Sequence, residues 1–296
     1  MGTATTSPVA DRPLVGIAWM VLTGFLFVGV TATVKWVGDG VPAAQAAFLR
    51  YVLGLPLLLP MLPLFRRELS TMDRGEWRLF AGRGLAHTLA VILWFYAMTR
   101  IPIAEVTAMG YLTPVLTALG AVLLLGERMT GPRARAVAAA LGGAVLILRP
   151  GLRTLDPGHL AMLGTAVGFA VSYLVLKRVS GRHPAIVVVM LSLFVTAFLA
   201  PFAALDWVTP TAGQLGQLFL VAVLATAGHY TMTLAFAAAP VTVVQPAVFL
   251  QLVWATALGA LAFGEAVDPW VVLGGTVIVA AASLVALSEG RRASKP

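Results

Sequence analysis

Two histidines, His87 and His229, stand 142 residues apart in stretches that are otherwise apolar. Imidazole changes charge near neutral pH and both donates and accepts hydrogen bonds. An ionisable group inside a hydrocarbon-length segment is costly, and by default it marks a solute or ion pathway. His87 also belongs to a stripe, Arg83, His87, Val91 and Trp94, at the i, i+4, i+8, i+11 spacing of one helical face. A cation, an imidazole and an indole on one face suit a solute with a charged end and a flat apolar end. For Arg83 alone the simpler expectation is a side chain that snorkels to an interface. Two further stripes match one another, Thr107, Tyr111, Pro114 and Ala118 against Gln245, Phe249, Leu252 and Thr256. Hydrocarbon offers amides and hydroxyls no partner, so Tyr111 and Gln245 should face protein or a watery cavity. The candidate substrate-binding residues are therefore His87, His229, Trp94, Tyr111, Gln245, Tyr173 and Phe249.

Other residues have structural or coupling readings. Glu105, a carboxylate within an apolar segment, could carry a proton, as could His87; Glu105 could equally pair with Arg100 or Arg50. Pro114 and Pro246 interrupt their segments and would act as hinges or kinks. Glu127 and Glu265 each precede the next segment, where a carboxylate meets unpaired N–H groups and the positive dipole end, and both read as structural caps. The two histidines could hold a metal only with a third ligand, and none suggests itself. With 0 Cys there is no thiolate site, and no cofactor is expected.

The elements that must position these residues follow from composition. The chain is 59% hydrophobic and 11% charged, against about 25% charged in a typical soluble domain. Mean hydropathy is +0.93. Such a chain cannot clothe a water-facing surface, and its place is the lipid bilayer. About 20 apolar residues cross the hydrocarbon layer, and ten segments qualify. In the first half they are Leu14–Val37, Pro42–Leu64, Trp77–Thr99, Pro102–Leu125 and Arg133–Leu148. In the second they are Gly158–Leu176, Pro184–Leu205, Ala212–Ala238, Pro240–Phe263 and Pro269–Leu287. The first is too long for a signal-peptide core of about 7–15 residues.

The halves repeat. At an offset of 142, Lys35 falls on Lys177, Pro42 on Pro184 and His87 on His229; at 138, Pro102 falls on Pro240 and Gly126-Glu127 on Gly264-Glu265. The lost turn is expected between His87 and Pro102. The expected layout is a tail at 1–13, five-helix repeats at 14–151 and 152–288, and a tail at 289–296. Five spans per copy force the second copy to enter inverted, an arrangement of carriers with one central site. Lys and Arg fall fourteen to four in favour of the face holding both termini, which predicts cytoplasmic termini. That bias, not nucleic acid, accounts for the net charge of +8.

Certain passages carry a resemblance. They are Pro102-Ile-Ala-Glu-Val, Tyr111-Leu-Thr-Pro-Val, Leu125-Gly-Glu-Arg128, and, in the second copy, Phe249-Leu-Gln-Leu and Phe263-Gly-Glu265. With Arg50 in Phe48-Leu-Arg-Tyr51, their order and duplication resemble the EamA-type members of the drug/metabolite transporter superfamily, amino acid exporters most of all. The second copy departs from the first, with Ser192 in place of Arg50 and Leu252 in place of Pro114. The resemblance implies ten helices, a cavity between the copies, alternating access and a structural role for Arg50. It implies export of small metabolites, foremost aromatic or bulky aliphatic amino acids, with drugs or other metabolites, possible proton coupling included, as the alternative. A monomer in the cell (inner) membrane is expected. No HExxH motif, metal-spaced acid pair or phosphate loop supports an enzyme, and the short connections offer no channel filter.

Overall fold

The computed structural model describes residues 12–152, 154–179, 182, 184–239, 244, 247 and 249–293. The first five spans are α1 (Pro13–Val37), α2 (Ala43–Gly54) continued by α3 (Leu62–Leu69), α4 (Arg74–Arg100), α5 (Ile103–Gly110) continued by α6 (Leu112–Leu125), and α7 (Gly131–Leu148). The second five are α8 (Pro157–Val179), α9 (Pro184–Leu205), α10 (Ala212–Ala238), α11 (Phe249–Phe263) and α12 (Pro269–Ala293). Among the described residues eight helical stretches are long and apolar enough to cross a membrane, and Leu250–Phe263 and Pro269–Leu284 are shorter apolar helices. The face from which α1 starts is called the near face below, and the opposite one the far face.

Proline explains both interrupted spans. Pro56 and Pro60 each remove an N–H donor, and the second span tightens into a 3₁₀ stretch over Leu55–Met61 before α3 resumes. In the fourth span Pro114 cannot donate to Gly110. The chain breaks one residue later, where the Tyr111 N–H turns back to Ala108 O at 3.3 Å. Gly126 and Gly264 take positive φ, 69° and 64°, at equivalent ends in the two repeats, a conformation glycine adopts without a Cβ penalty.

The packing obeys the inversion. The dominant helix pairs are α1 with α10, α4 with α8, and α7 with α12. Exchanging the repeats turns the first pair into the second and leaves the third in place. A Cβ on Gly16 would stand 2.8 Å from the Ala239 side chain, and one on Gly158 2.9 Å from that of Ile101. These are one contact seen twice, at offsets of 142 and 138.

That contact corrects the expected repeat register. α4 and α10 are both 27 residues long. Both open on a capping box, Asp73 with Glu76 and Thr211 with Gln214, 138 residues apart. The lost turn therefore precedes the third span, where α3 prolongs the second span and the seventh has no counterpart. The repeat mate of His87 is Ala225, and His229 lies one turn beyond it, about 6 Å along the axis.

Ties between the repeats concentrate at the far face. Glu265 binds Lys35 at 2.6 Å and accepts the Ile103 N–H at 2.9 Å. Its expected target was the helix that follows it, but Asp268 serves that start, accepting from the Trp270 N–H at 2.9 Å. Glu265 thus caps the fourth span. Glu127 meets Arg133 at 3.0 Å within its own repeat. Arg149 pairs with Asp268, and buried Gln45 exchanges two hydrogen bonds with the Val208 backbone. Glu105 pairs with neither Arg100 nor Arg50. It accepts from His159 Nε2 at 2.5 Å, both side chains almost fully buried, while Arg100 lies over the Tyr96 ring and Arg50 over that of Tyr51. At the near face Arg182 binds Glu68, Glu76 and the Thr71 hydroxyl.

The α7–α12 seam is backbone against backbone. A Cβ on Gly143 would meet Gly274 O at 2.7 Å, and one on Gly274 would meet Gly143 O at 2.5 Å. Gly143→Val should therefore cost about 1–3 kcal/mol by overpacking, read as a lower thermal midpoint of the purified protein in detergent. An unchanged midpoint would mean the seam is looser than described. Glu265→Ala leaves Lys35 with the Ile101 carbonyl alone and the Ile103 N–H unpaired, a loss of about 3 kcal/mol, the lower end for a broken buried pair. Glu265→Gln should recover part of it through the cap, and equal damage from both substitutions would remove the capping role.

Candidate functional site

The middle of the bundle gathers imidazole, guanidinium and aromatic groups from four spans. Gly164 and Gly168 let α8 lie close against α4. A Cβ on Gly168 would come 2.8 Å from the Ala90 side chain. Beside that seam His87 Nδ1 shares a hydrogen bond with Ser172 Oγ at 3.3 Å. Phe169 stands with its ring 4.8 Å from the His87 ring, and Trp94 meets Phe169 edge-on at 6.0 Å. His87, Phe169 and Trp94 are each half-buried, so together they form one imidazole and aromatic surface across two helices.

His229 is placed differently. Its Nδ1 lies 2.8 Å from Ala225 O. A carbonyl only accepts, so Nδ1 carries the proton and Nε2 is the lone-pair nitrogen of the neutral ring. Phe27 of α1 meets this ring edge-on at 5.2 Å. A buried hydrogen bond between Thr23 and Thr231 at 2.8 Å pins α1 to α10 nearby. His87 and His229 lie within electrostatic reach of one another and of Arg50 and Arg83.

Arg83 does not snorkel. It is 5% exposed and donates through Nη1 to Val187 O of the seventh span at 3.1 Å. Its Cα is nine residues into a 27-residue helix, which puts either interface beyond comfortable reach while α9 offers a carbonyl at once. Tyr51 and Tyr173 are its other polar neighbours. Arg50 lies 4.1 Å over the Tyr51 ring.

The structure thus brings His87, His229, Trp94 and Tyr173 into one region with Arg50 and Arg83. Tyr111 sits at the break of the fourth span, and Pro114 is exposed. Glu105 belongs to the far face with His159. Gln245, Pro246 and the Phe249 side chain lie outside the described residues. Among the described residues no group of three His, Cys, Asp or Glu could hold a metal ion. What the central groups can do is bind: donate hydrogen bonds, stack on flat rings and attract negative charge.

Phe169, Ser172 and His159 escaped the sequence reading. Phe169 and Ser172 follow, with the Tyr173 already named, an i, i+3, i+4 pattern on α8, the same signal that exposed the α4 stripe. His159 pairs across 54 residues with Glu105. Its only local hint is Asp156 three residues before it, whose carboxylate takes the Gly158 N–H at 2.6 Å as the helix begins.

The profile of the EamA-like transporter family matches residues 14–149 and 156–287. A riboflavin transporter of Rhizobium johnstonii is 32% identical, over 97% of this chain and 95% of its own. A pseudopaline exporter of Pseudomonas aeruginosa is 27% identical over 96% and 99%. An S-adenosylmethionine uptake transporter of Rickettsia bellii is 24% identical over 95% and 96%. A solved crystal structure, 22% identical, shares the fold with a TM-score of 0.59, covering 96% of this chain and 99% of that one. With two inverted copies of five helices and a full-length family match, the protein is a small-metabolite transporter and no enzyme: it belongs to the EamA-like transporter family of the drug/metabolite transporter superfamily.

Proposed function

We propose that this carrier moves a flat aromatic metabolite with a polar tail out across the bacterial inner membrane. Its repeats, 14–151 and 152–288, would rock about the central groups to expose them to each side in turn, the chain working as a monomer with both termini in the cytoplasm. The observation that carries the reading is the surface of His87, Phe169 and Trp94, which combines ring faces with a hydrogen-bonding edge in mid-span. Aromatic pairs of this geometry contribute about 0.5–1.5 kcal/mol beyond burial, enough to sort flat solutes from aliphatic ones.

Within this class a flavin is placed first, since the relative at 32% identity is a riboflavin transporter. Aromatic amino acids come second, because an indole or phenyl ring fits the same surface. Bulky aliphatic amino acids gain nothing from it. With Glu105 engaged by His159 and His87 by Ser172, exchange should run without a pH gradient.

The test is counterflow in proteoliposomes holding the purified protein, loaded with riboflavin, tryptophan, phenylalanine or leucine against a trace of the same labelled compound. Saturable counterflow of riboflavin and of the aromatic amino acids, absent for leucine, is expected. A ranking led by leucine would remove the aromatic reading. His87→Ala should cut the counterflow about tenfold, the worth of one lost buried hydrogen bond, with unchanged yield of folded protein. Full activity in His87→Ala would clear this histidine from the pathway. An imposed pH gradient that accelerates counterflow would overturn the uncoupled expectation.

A further inference from the structure

The charges of this bundle do not balance by depth. Among the described residues every acidic one falls in a connection or within about a turn of a helix end, and the deepest of them, Glu105, is held by His159. Two arginines do the opposite. Arg50 is the eighth residue of α2 and Arg83 the tenth of α4, about 11–14 Å from the start of their spans at 1.5 Å per residue. A guanidinium does not shed its proton to escape burial, as a lysine or carboxyl group can. A charge held in this layer is expensive and normally finds a counter-charge.

Among the described residues neither cation has an ion-pair partner. Arg83 has the Val187 carbonyl, and its Nε is buried with no hydrogen-bond partner. Arg50 has the face of Tyr51. Tyr51 and Tyr173 stand in the field of Arg83, and both histidines in that of the two arginines; His229 is placed as the neutral Nδ1–H tautomer by its bond to Ala225. An unspent donor on a side chain 5% exposed, on a helix packed against the one that carries a second permanent cation, makes a site that lacks its negative partner. Purely structural arginines would be expected to spend their donors on carboxylates or several carbonyls.

We propose that the transported solute supplies that partner: it carries an anionic group, carboxylate or phosphate, which docks between Arg50 and Arg83 while its flat ring lies against His87, Phe169 and Trp94. The proposal rests on the aromatic reading of the central surface and narrows it to aryl anions. It also accounts for the asymmetry of the repeats. Ser192 occupies the place of Arg50 in the second copy, so the anion end has one address.

Thermal unfolding of the purified full chain in detergent tests this with matched pairs. Riboflavin 5′-phosphate is compared with riboflavin, and indole-3-acetate with indole-3-acetamide. The anionic member should bind about tenfold more tightly than its uncharged mate, the scale of one charge-assisted hydrogen bond, and raise the midpoint further. The pair with the larger difference identifies phosphate or carboxylate. Arg50→Gln should erase the difference, while Arg50→Lys, which keeps the charge and loses the fork, should keep part of it. Equal shifts within both pairs in the unaltered protein overturn the proposal, whether or not the variants fold. So does a difference that survives in both Arg50→Gln and Arg83→Gln, or one reproduced by inorganic phosphate or acetate alone. Counterflow fails separately: riboflavin excluded while aryl anions stabilise removes riboflavin as substrate and leaves the anion site standing.

Discussion

Hydrocarbon supplies no hydrogen bonds, and nearly every feature of this protein follows from that. A backbone N–H without a partner costs several kcal/mol in such a medium, so the chain is helix wherever it crosses. Where proline removes a donor the helix tightens or restarts at once instead of opening a loop. Side chains obey the same rule. Many threonine hydroxyls bond their own helix or a facing one, as Thr33 does to Gly29 O at 2.7 Å, and carboxylates retreat to the ends. The polar groups left in the middle therefore stand out as the ones that packing alone does not require.

The inverted repeat turns this rule into an architecture. Each copy leaves faces that only the other copy covers, which is why the strongest packing joins α1 to α10 and α4 to α8 and not neighbours within a copy. Glycines set how near those faces come, and the charged and capping groups of the far face then fix the helix ends against each other. Glu265 is the plainest case. One carboxylate holds a lysine of the first span and the open N-terminus of the fourth, two elements of the other repeat.

Much of this was legible in the sequence. Ten spans, the duplication and the odd span count are written in hydropathy and in repeated Pro and Gly-Glu positions, because those depend on local chemistry and on the thickness of a bilayer. The helix starts agree to within about a turn, except for the ninth span, whose expected start at Pro240 lies outside the described residues. The register of the third span was misjudged because an identity, His87 against His229, outweighed a better local signal. Asp73-x-x-Glu76 and Thr211-x-x-Gln214 are the same start of the same helix. Pairings such as Glu105 with His159, or Arg83 with Val187 O, join residues 54 and 104 apart. They are set by how whole helices dock, and no local pattern encodes that. The expectation of a snorkelling Arg83 failed for the same reason, since its acceptor lies on a helix a hundred residues away.

The one-turn displacement of His229 from the mate of His87 has a kinetic meaning. A carrier whose two halves presented identical groups at identical depths would hold its solute equally well from either side. Here the scaffold is symmetric and the lining is not: one repeat offers imidazole level with the centre and the other offers it a turn nearer one face. If the two histidines line the central site as proposed, the two open forms would be different receptors for the same molecule, with unequal half-saturation on the two sides of the membrane. With no energy source the ratio of maximal rate to half-saturation must be the same in both directions, so traffic at low solute concentration would be symmetric; the four residues of offset would show only near saturation, as a larger maximal rate from the side that holds the solute more weakly.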